Sequence, residues 1–281
     1  MPTAEEIRES QRTTWAGLSA SWSRWDALIQ QQLGPAGDAI VSSLQIGASG
    51  RHLDVASGTG EPGLSVARLA PEGRVVLTDL SREMLDVAAQ RATEQGIDNV
   101  ETVVCSADDL PFENATFDTV SVRFGFMFFP DGDAATAELV RVMKPGGRLA
   151  ATVWIEPEHN PWTTISLAAV ASEVDVPAPV PGAPSMFRCA APGHVSALYE
   201  RAGLTRVAEH DVPLELVTGS PEEYWEMISD HVSLVSAALK GIGPEARVRM
   251  RAHAIEAVSA YESDGKVRVP GLARCIVGTK P

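Results

Sequence analysis

The stretch RHLDVASGTGEPGLSVARLAPEGRVVLTD, residues 51–79, reads as a β-α-β unit. A short apolar strand around Leu53 and Val55 carries Asp54 and runs into a glycine-rich turn. A helical segment, Leu64 to Leu69, follows, and a second apolar strand, Val75 to Leu77, ends on Asp79. Gly58 and Gly60 permit backbone conformations, and an approach to a ligand, that a side chain would block. An acid at the tip of the second strand suits the paired ribose hydroxyls of an adenosine compound.

Two ligands compete for this turn. Gly58, Gly60 and Gly63 spell G-x-G-x-x-G, with Asp79 at the spacing of a dinucleotide site. An NAD-dependent oxidoreductase is therefore one reading. The charges oppose it. A pyrophosphate is held by backbone N–H groups at a helix N-terminus, away from carboxylates. Here Asp54 precedes the turn and Glu61 sits inside it. Two acids suit a ligand that carries an ammonium and a sulfonium, so S-adenosyl-L-methionine fits better than NAD.

Outward from the turn, strands and helices alternate. Residues 4–33 read as one or two amphipathic helices containing Trp15, Trp22 and Trp25. Ser81 caps a helix whose stripe is Met84, Val87, Ala88 and Ala92, closed at Gly96. Further strands are expected at Val100 to Val104, Thr119 to Val122 and Arg148 to Trp154. Between the last two lies a helix, Ala134 to Met143, stopped by Lys-Pro-Gly-Gly. Beyond Trp154 a helical patch, Thr164 to Val174, leads into the proline-rich VPAPVPGAPS, which cannot pair in a sheet. A helix over Pro192 to Ala202, a strand over Thr205 to Val217, helices from Ser220 to about Tyr261 and a strand over Val267 to Thr279 complete the pattern. Such alternation implies a doubly wound α/β sheet with ligands at the carboxyl ends of its strands.

The chain resembles the class I S-adenosylmethionine-dependent methyltransferases, in particular the ubiquinone/menaquinone C-methyltransferase branch. The resemblance covers roughly residues 10–162. It rests on LDVASGTG (53–60), TDLSREML (78–85), ADDLPFENATFD (107–118), VRFGFMFFPD (122–131) and RVMKPGGRLAATVW (141–154), in that order. It implies a seven-stranded, mostly parallel, Rossmann-like sheet in a single domain over residues 1–281. The N-terminal segment 1–33 would form a helical lid, and 155–190 and 218–263 a substrate cap. Two positions depart from the family pattern. Ala56 stands where the family usually has Gly, and Ser106 where it often has Asp, with Asp108 able to compensate.

The same resemblance carries cofactor contacts over. Asp54 and the turn Ala56, Ser57, Gly58, Thr59 and Gly60 should face the methionine moiety. Asp79 should take the ribose hydroxyls, and Leu80 and Met84 should cover the adenine. Ser106, Ala107 and Asp108 would lie at the adenine edge, and Arg123 and Phe124 beside the methionine part.

Composition restricts the partners. With Lys+Arg 23 against Asp+Glu 37, the formal net charge is −14. That opposes binding to nucleic acid or to an anionic membrane surface. No run is long enough for a membrane span, and the polar, acidic N-terminus does not read as a signal peptide. Three isolated cysteines, Cys105, Cys189 and Cys275, lack metal-ligand spacing. A cytoplasmic location, no metal and a small-molecule substrate are expected, with a homodimer left open.

Methyl transfer from a sulfonium needs a dry, fitted enclosure and in-line positioning more than it needs a catalytic side chain. Trp15, Trp22, Phe126, Phe128, Trp162 and Trp225 are the candidate pocket walls, which would suit an apolar or aromatic acceptor of secondary metabolism. A base is needed only if the acceptor must lose a proton. His231, in the expected cap beside Trp225, is the candidate; His159, His194, His210 and His253 are alternatives, and His52 reads as structural.

Overall fold

The computed structural model describes residues 3–176 and 182–281. Five parallel strands form one half of the sheet, in the spatial order β3-β2-β1-β4-β5. They are β1 (Arg51–Val55), β2 (Arg74–Asp79), β3 (Val100–Val104), β4 (Phe117–Arg123) and β5 (Met143–Trp154). β6 (Thr205–Thr218), β7 (Glu262–Ser263) and β8 (Lys266–Thr279) complete it. β8 pairs antiparallel with β5 and β6, and the two-residue β7 pairs with β8. The seven expected strands are all present, and β7 is an eighth.

Burial explains the residue choice. β2 is buried on both faces from Val75 to Asp79, and its run VVL is apolar without alternation, as a central parallel strand requires. β6 lies at the sheet edge, where Pro213 is tolerated because one side of the strand has no ladder to maintain.

The helices are α1 (Ala4–Arg24), α2 (Asp26–Leu44), α3 (Gly63–Leu69), α4 (Arg82–Glu94), α5 (Gly132–Val142), α6 (Pro161–Ala171), α7 (His194–Arg201), α8 (Pro221–His231), α9 (Ser233–Gly241) and α10 (Pro244–Ser259). Local chemistry starts several of them. Ser81 accepts from Met84 N at 3.2 Å, Asp131 from Ala134 N at 3.0 Å and Ser220 from Glu223 N at 3.2 Å. Side-chain parity on β8 separates the layers. Cys275 faces Ser43 of α2, whereas a Cβ at Gly278 would touch Tyr199 of α7. The two helices therefore cover opposite faces. α3 shares the α2 face, since Gly37 of α2 approaches Pro62 at the start of α3. α5 shares the α7 face through Gly132 and Leu198.

Several boundaries differ from expectation, and α2 runs to Leu44 rather than ending near residue 33. Lys-Pro-Gly-Gly does not merely stop a helix, because β5 begins at Met143 and runs through it, with Gly146 at φ 77°. α6 starts at Pro161, where the ring pre-sets the first helical φ, and ends at Ala171. α7 starts at His194, two residues after Pro192. Of the proline-rich segment 176–185, residues 177–181 lie outside the described residues. α6, α8, α9 and α10 pack together above the sheet and form the cap. Among the described residues no helix is long and apolar enough to cross a membrane.

The strand order reverses between β1 and β4. From β1 the chain winds one way to β2 and β3, and from β4 the other way to β5. Ligands of open α/β sheets bind in the crevice that such a reversal leaves at the carboxyl ends of the strands.

Candidate active site

A cavity of about 720 Å³ occupies that crevice, within the range of roughly 300–1,000 Å³ typical of small-molecule sites. Its floor is the turn after β1. Gly58 has φ 52°, and a Cβ built there would meet nothing within 4 Å, so its backbone opens on free space. Ser57 N donates to Thr78 O at 2.9 Å, tying the turn to β2. Ala56 at φ 55° and Phe124 at φ 57° both hold the left-handed conformation at the ends of β1 and β4, at a cost of about 1–2 kcal/mol each for an L-residue. A Cβ at Gly125 would lie 2.8 Å from the Ala56 methyl, so glycine at 125 makes room for alanine at 56.

Asp79 ends β2 at the cavity wall. Its Oδ2 accepts from Gly58 N at 3.0 Å and its Oδ1 from Ser81 N at 2.9 Å. Burial pushes its carboxyl above the ordinary value, while the N–H groups of Ser81, Gly58 and Leu80 pull it back. Each oxygen keeps a lone pair, enough for the two hydroxyls of a ribose. Leu80, Met84, Ser106 and Ala107 line the cavity beside it. So does Cys105, which sequence reasoning did not single out. Burial pushes the Cys105 thiol up to about 12 and leaves it neutral.

Three of the proposed cofactor contacts, Asp54, Gly60 and Asp108, sit elsewhere. Asp54 is fully buried and turned under α3, not toward the cavity. Its Oδ2 accepts from Gly63 N at 3.0 Å and its Oδ1 from Ser121 Oγ. Burial raises it to about 7, against hydrogen bonds from Ser121 and Gly63 and the nearby Arg123 charge, with Glu61 adding to the rise. Gly60 packs: a Cβ there would meet Leu64 at 2.9 Å and Ala88 at 3.2 Å. Gly63 packs as well, since a Cβ would meet Leu77 at 2.2 Å. The apparent dinucleotide spacing is thus completed by a residue that serves helix–strand contact. Asp108 is held by Arg8 of α1, at 2.8 Å from Nη2 to Oδ2, and does not line the cavity.

Arg123 and Glu61 do line it, and they form a charged corner. Arg123 Nη1 donates to Gln30 Oε1 at 3.2 Å. Burial lowers its pKa from the ordinary value, which leaves a guanidinium charged. Glu61 accepts from Ser65 N at 3.1 Å and stands 3.9 Å from Arg91.

The opposite end is aromatic. Phe124 stacks on Trp154 at 4.4 Å, and Trp154 meets Trp162 at 5.2 Å. Trp15 meets Phe128 edge-on at 5.3 Å, and Trp22 lies 4.9 Å from the His231 ring. Trp15, Trp22, Phe128 and Trp162 line the cavity. Phe126 does not: it is buried in the core against Phe129 and Tyr199, because the short 3₁₀ turn 126–128 rotates it inward. Trp225 is buried too but lies off the cavity, and α8 presents Met227 and His231 instead. Gln32 of α2 lines the cavity with its Nε2 unpartnered. It falls within the expected lid segment 1–33, but a lone glutamine in an amphipathic helix carries no signal that marks it as a cavity residue.

His231 reaches the cavity from the last turn of α8. Burial lowers it to about 4, with Asp230 opposing, so the ring is neutral at physiological pH. Its Nδ1 is buried without a partner. The Asp230 carboxylate is engaged elsewhere, accepting from Trp25 Nε1 and Arg24 Nη1 at 3.0 Å each.

Comparison with known proteins follows the same outline. The ubiE/COQ5 methyltransferase family model matches residues 37–167. An uncharacterized protein of Mycobacterium tuberculosis is 38% identical over 149 residues, covering 52% of this chain and 53% of that protein. The ubiquinone/menaquinone biosynthesis C-methyltransferase of Bordetella parapertussis is 47% identical over 98 residues, 34% of this chain and 38% of the enzyme. The chain thus spans about half, or less, of the length of these curated relatives. Among solved structures, the YcgJ protein of Bacillus subtilis superposes with a TM-score of 0.57 at 19% identity, covering 87% of this chain and 97% of that one. The [4+2]-cyclase SpnF superposes with a TM-score of 0.58 at 23% identity, covering 88% and 80%.

Proposed function

We propose that this chain, a class I S-adenosylmethionine-dependent methyltransferase related to the ubiE/COQ5 family, methylates a small, largely apolar or aromatic metabolite at carbon or oxygen. The observation that carries the reading is continuity. One cavity runs from Gly58 and Asp79, which suit an adenosine, to Phe128, Trp162 and His231, which suit an apolar acceptor.

S-adenosylmethionine supplies an electrophilic methyl carbon on a sulfonium. The protein's part is positioning and dryness. Asp79 would hold the ribose through its remaining lone pairs, and Glu61 would set a negative charge near the cationic end of the cofactor. Trp15, Trp22, Phe128 and Trp162 exclude water, which stabilises separated charges more than the dispersed charge of the transition state. The enclosure also holds donor and acceptor in line. For a phenol or enol acceptor, His231 takes the proton through whichever ring nitrogen faces it.

A second reading is a non-methylating protein that binds the cofactor on the same scaffold. It is favoured by the lowered pKa of His231, the candidate base at the acceptor end, which burial pushes down to about 4. Transfer of a labelled methyl group to an acceptor from a panel of phenols, quinols and polyketides tests the first reading. Calorimetric binding of S-adenosylmethionine with no labelled product from any of them would favour the second, and preference for NAD would end both. The excess of acid, −14 in formal charge, opposes a nucleic-acid substrate, and we assign the protein to the cytoplasm.

A further inference from the structure

Four buried side chains under the cofactor turn form a continuous hydrogen-bonded line. Thr119 Oγ1 lies 2.9 Å from His52 Nδ1, His52 Nε2 lies 2.9 Å from Ser121 Oγ, and Ser121 Oγ donates to Asp54 Oδ1. The line follows from the register. His52 and Asp54 share one face of β1, Thr119 and Ser121 the same face of β4, and His52 pairs with Thr119 as Asp54 does with Ser121. His52, Asp54 and Ser121 have no exposed surface, and Thr119 is 4% exposed. None of the four lines the cavity.

The donor count fixes its direction. An ionised Asp54 only accepts, so the one Ser121 proton points to it. Ser121 must then accept from His52 Nε2–H, which leaves His52 Nδ1 to accept from the Thr119 hydroxyl. Burial drives the His52 pKa down to about 3, so the ring is neutral with one N–H. Protonated Asp54 demands the reverse. Oδ2 still accepts from Gly63 N, so the acid proton sits on Oδ1 and donates to Ser121. Ser121 donates to Nε2, and Nδ1–H donates to Thr119.

We infer that His52 is a positioning residue whose tautomer is locked, through Ser121, to the charge of Asp54. Between the two states Asp54 gains one proton and the imidazole proton moves from Nε2 to Nδ1. Charge and atoms balance, with the imidazole neutral before and after. Ionised Asp54 clamps Gly63 N–H and so sets the first turn of α3 against the cofactor turn; the neutral acid holds it less strongly. The charged groups around Asp54 are Arg123 at the end of β4 and Glu61 in the turn. Arg91 of α4 stands 3.9 Å from Glu61, and Asp26 of α2 3.3 Å from Arg91. The inference concerns the turn of the cofactor site, but its test uses no cofactor, so the two stand or fall separately.

Nitrogen-15 NMR of histidine-labelled, ligand-free protein reads the tautomer directly, with His52 assigned by its loss in His52→Gln. Wild type at a pH of about 8.5, well above the ordinary carboxylate range, should show the Nε2–H form. Asp54→Asn at the same pH should show Nδ1–H, because the asparagine amide donates to Ser121 as the protonated acid does. The same tautomer in both folded proteins would overturn the inference. If Asp54→Asn does not fold, acidifying wild type toward a pH of about 5.5 must increase the Nδ1–H population. An invariant tautomer there overturns it equally.

Discussion

Asp79 and Asp54 stand at equivalent ends of neighbouring strands, yet their surroundings give them different work. Asp79 keeps lone pairs at the cavity wall, and loss of charge-assisted hydrogen bonds costs about 1.5–3 kcal/mol. Asp79→Ala should therefore weaken S-adenosylhomocysteine binding roughly ten- to a hundredfold, and unchanged affinity by calorimetry in a folded variant would remove this residue from the site. Asp54 is raised from 3.8 to about 7. Between those values the folded state holds a proton that the unfolded chain lacks, so this group makes stability fall as pH rises through the window. Asp54→Asn should gain stability over wild type as pH rises from 4 toward 7, and most above it. Thermal unfolding at both ends of the window checks this, and a pH-independent difference would contradict it. At the acceptor end, His231→Ala should lower turnover by roughly 10² or more, with cofactor affinity nearly constant and the loss shrinking at high pH as the acceptor ionises unaided. His231→Gln, which can donate but not act as a base, should not restore it; recovery by glutamine would recast His231 as a hydrogen-bond donor.

Among the helices, α1 is loosely fastened. It has 21 residues, of which Ser21 alone is buried, so little apolar burial holds it. Polar latches do the rest: Arg8 to Asp108 at one end, and Arg24 with Trp25 to Asp230 of α8 at the other. Yet Trp15 and Trp22 from this helix close the cavity. Such an element opens at low free energy, as the proposed lid over the cavity would have to. Asp230→Ala should speed hydrogen exchange in residues 10–26 and around α8, and ligand should slow it in wild type. Equal exchange in both proteins, with and without S-adenosylhomocysteine, would make α1 static packing.

For the molecule as a whole, the cavity joins the sheet, α1 and the cap, so ligand binding should stabilise all three together. Cofactor at about a hundred times its Kd adds about 2.7 kcal/mol to unfolding. For a chain of this size that is a rise of several degrees in Tm. Scanning calorimetry should show one transition moving upward with S-adenosylhomocysteine and not with NAD. A shift with NAD alone would contradict the cofactor assignment.

The sequence by itself determined the sheet and the turn that floors the cavity. Strands Val75 to Leu77 and Arg148 to Trp154, the glycine turn and the acid at Asp79 are local patterns, and the order of the β/α units carries the topology with them. Only the tertiary structure decided which residues meet across it. Whether Asp54 faces a ligand or the underside of α3 depends on the path of a helix that begins nine residues later at Gly63. Phe126 and Phe128 are two residues apart, and one turn of 3₁₀ helix sends the first into the core and the second into the cavity. Trp225 and His231 share α8, but only the face that meets α1 reaches the site. Gln32 enters it from α2, and His52 finds Thr119 and Ser121 sixty-seven and sixty-nine positions away. Apolar periodicity tells a side chain to be buried; the packing of distant elements decides whether it is buried in the core or around a ligand.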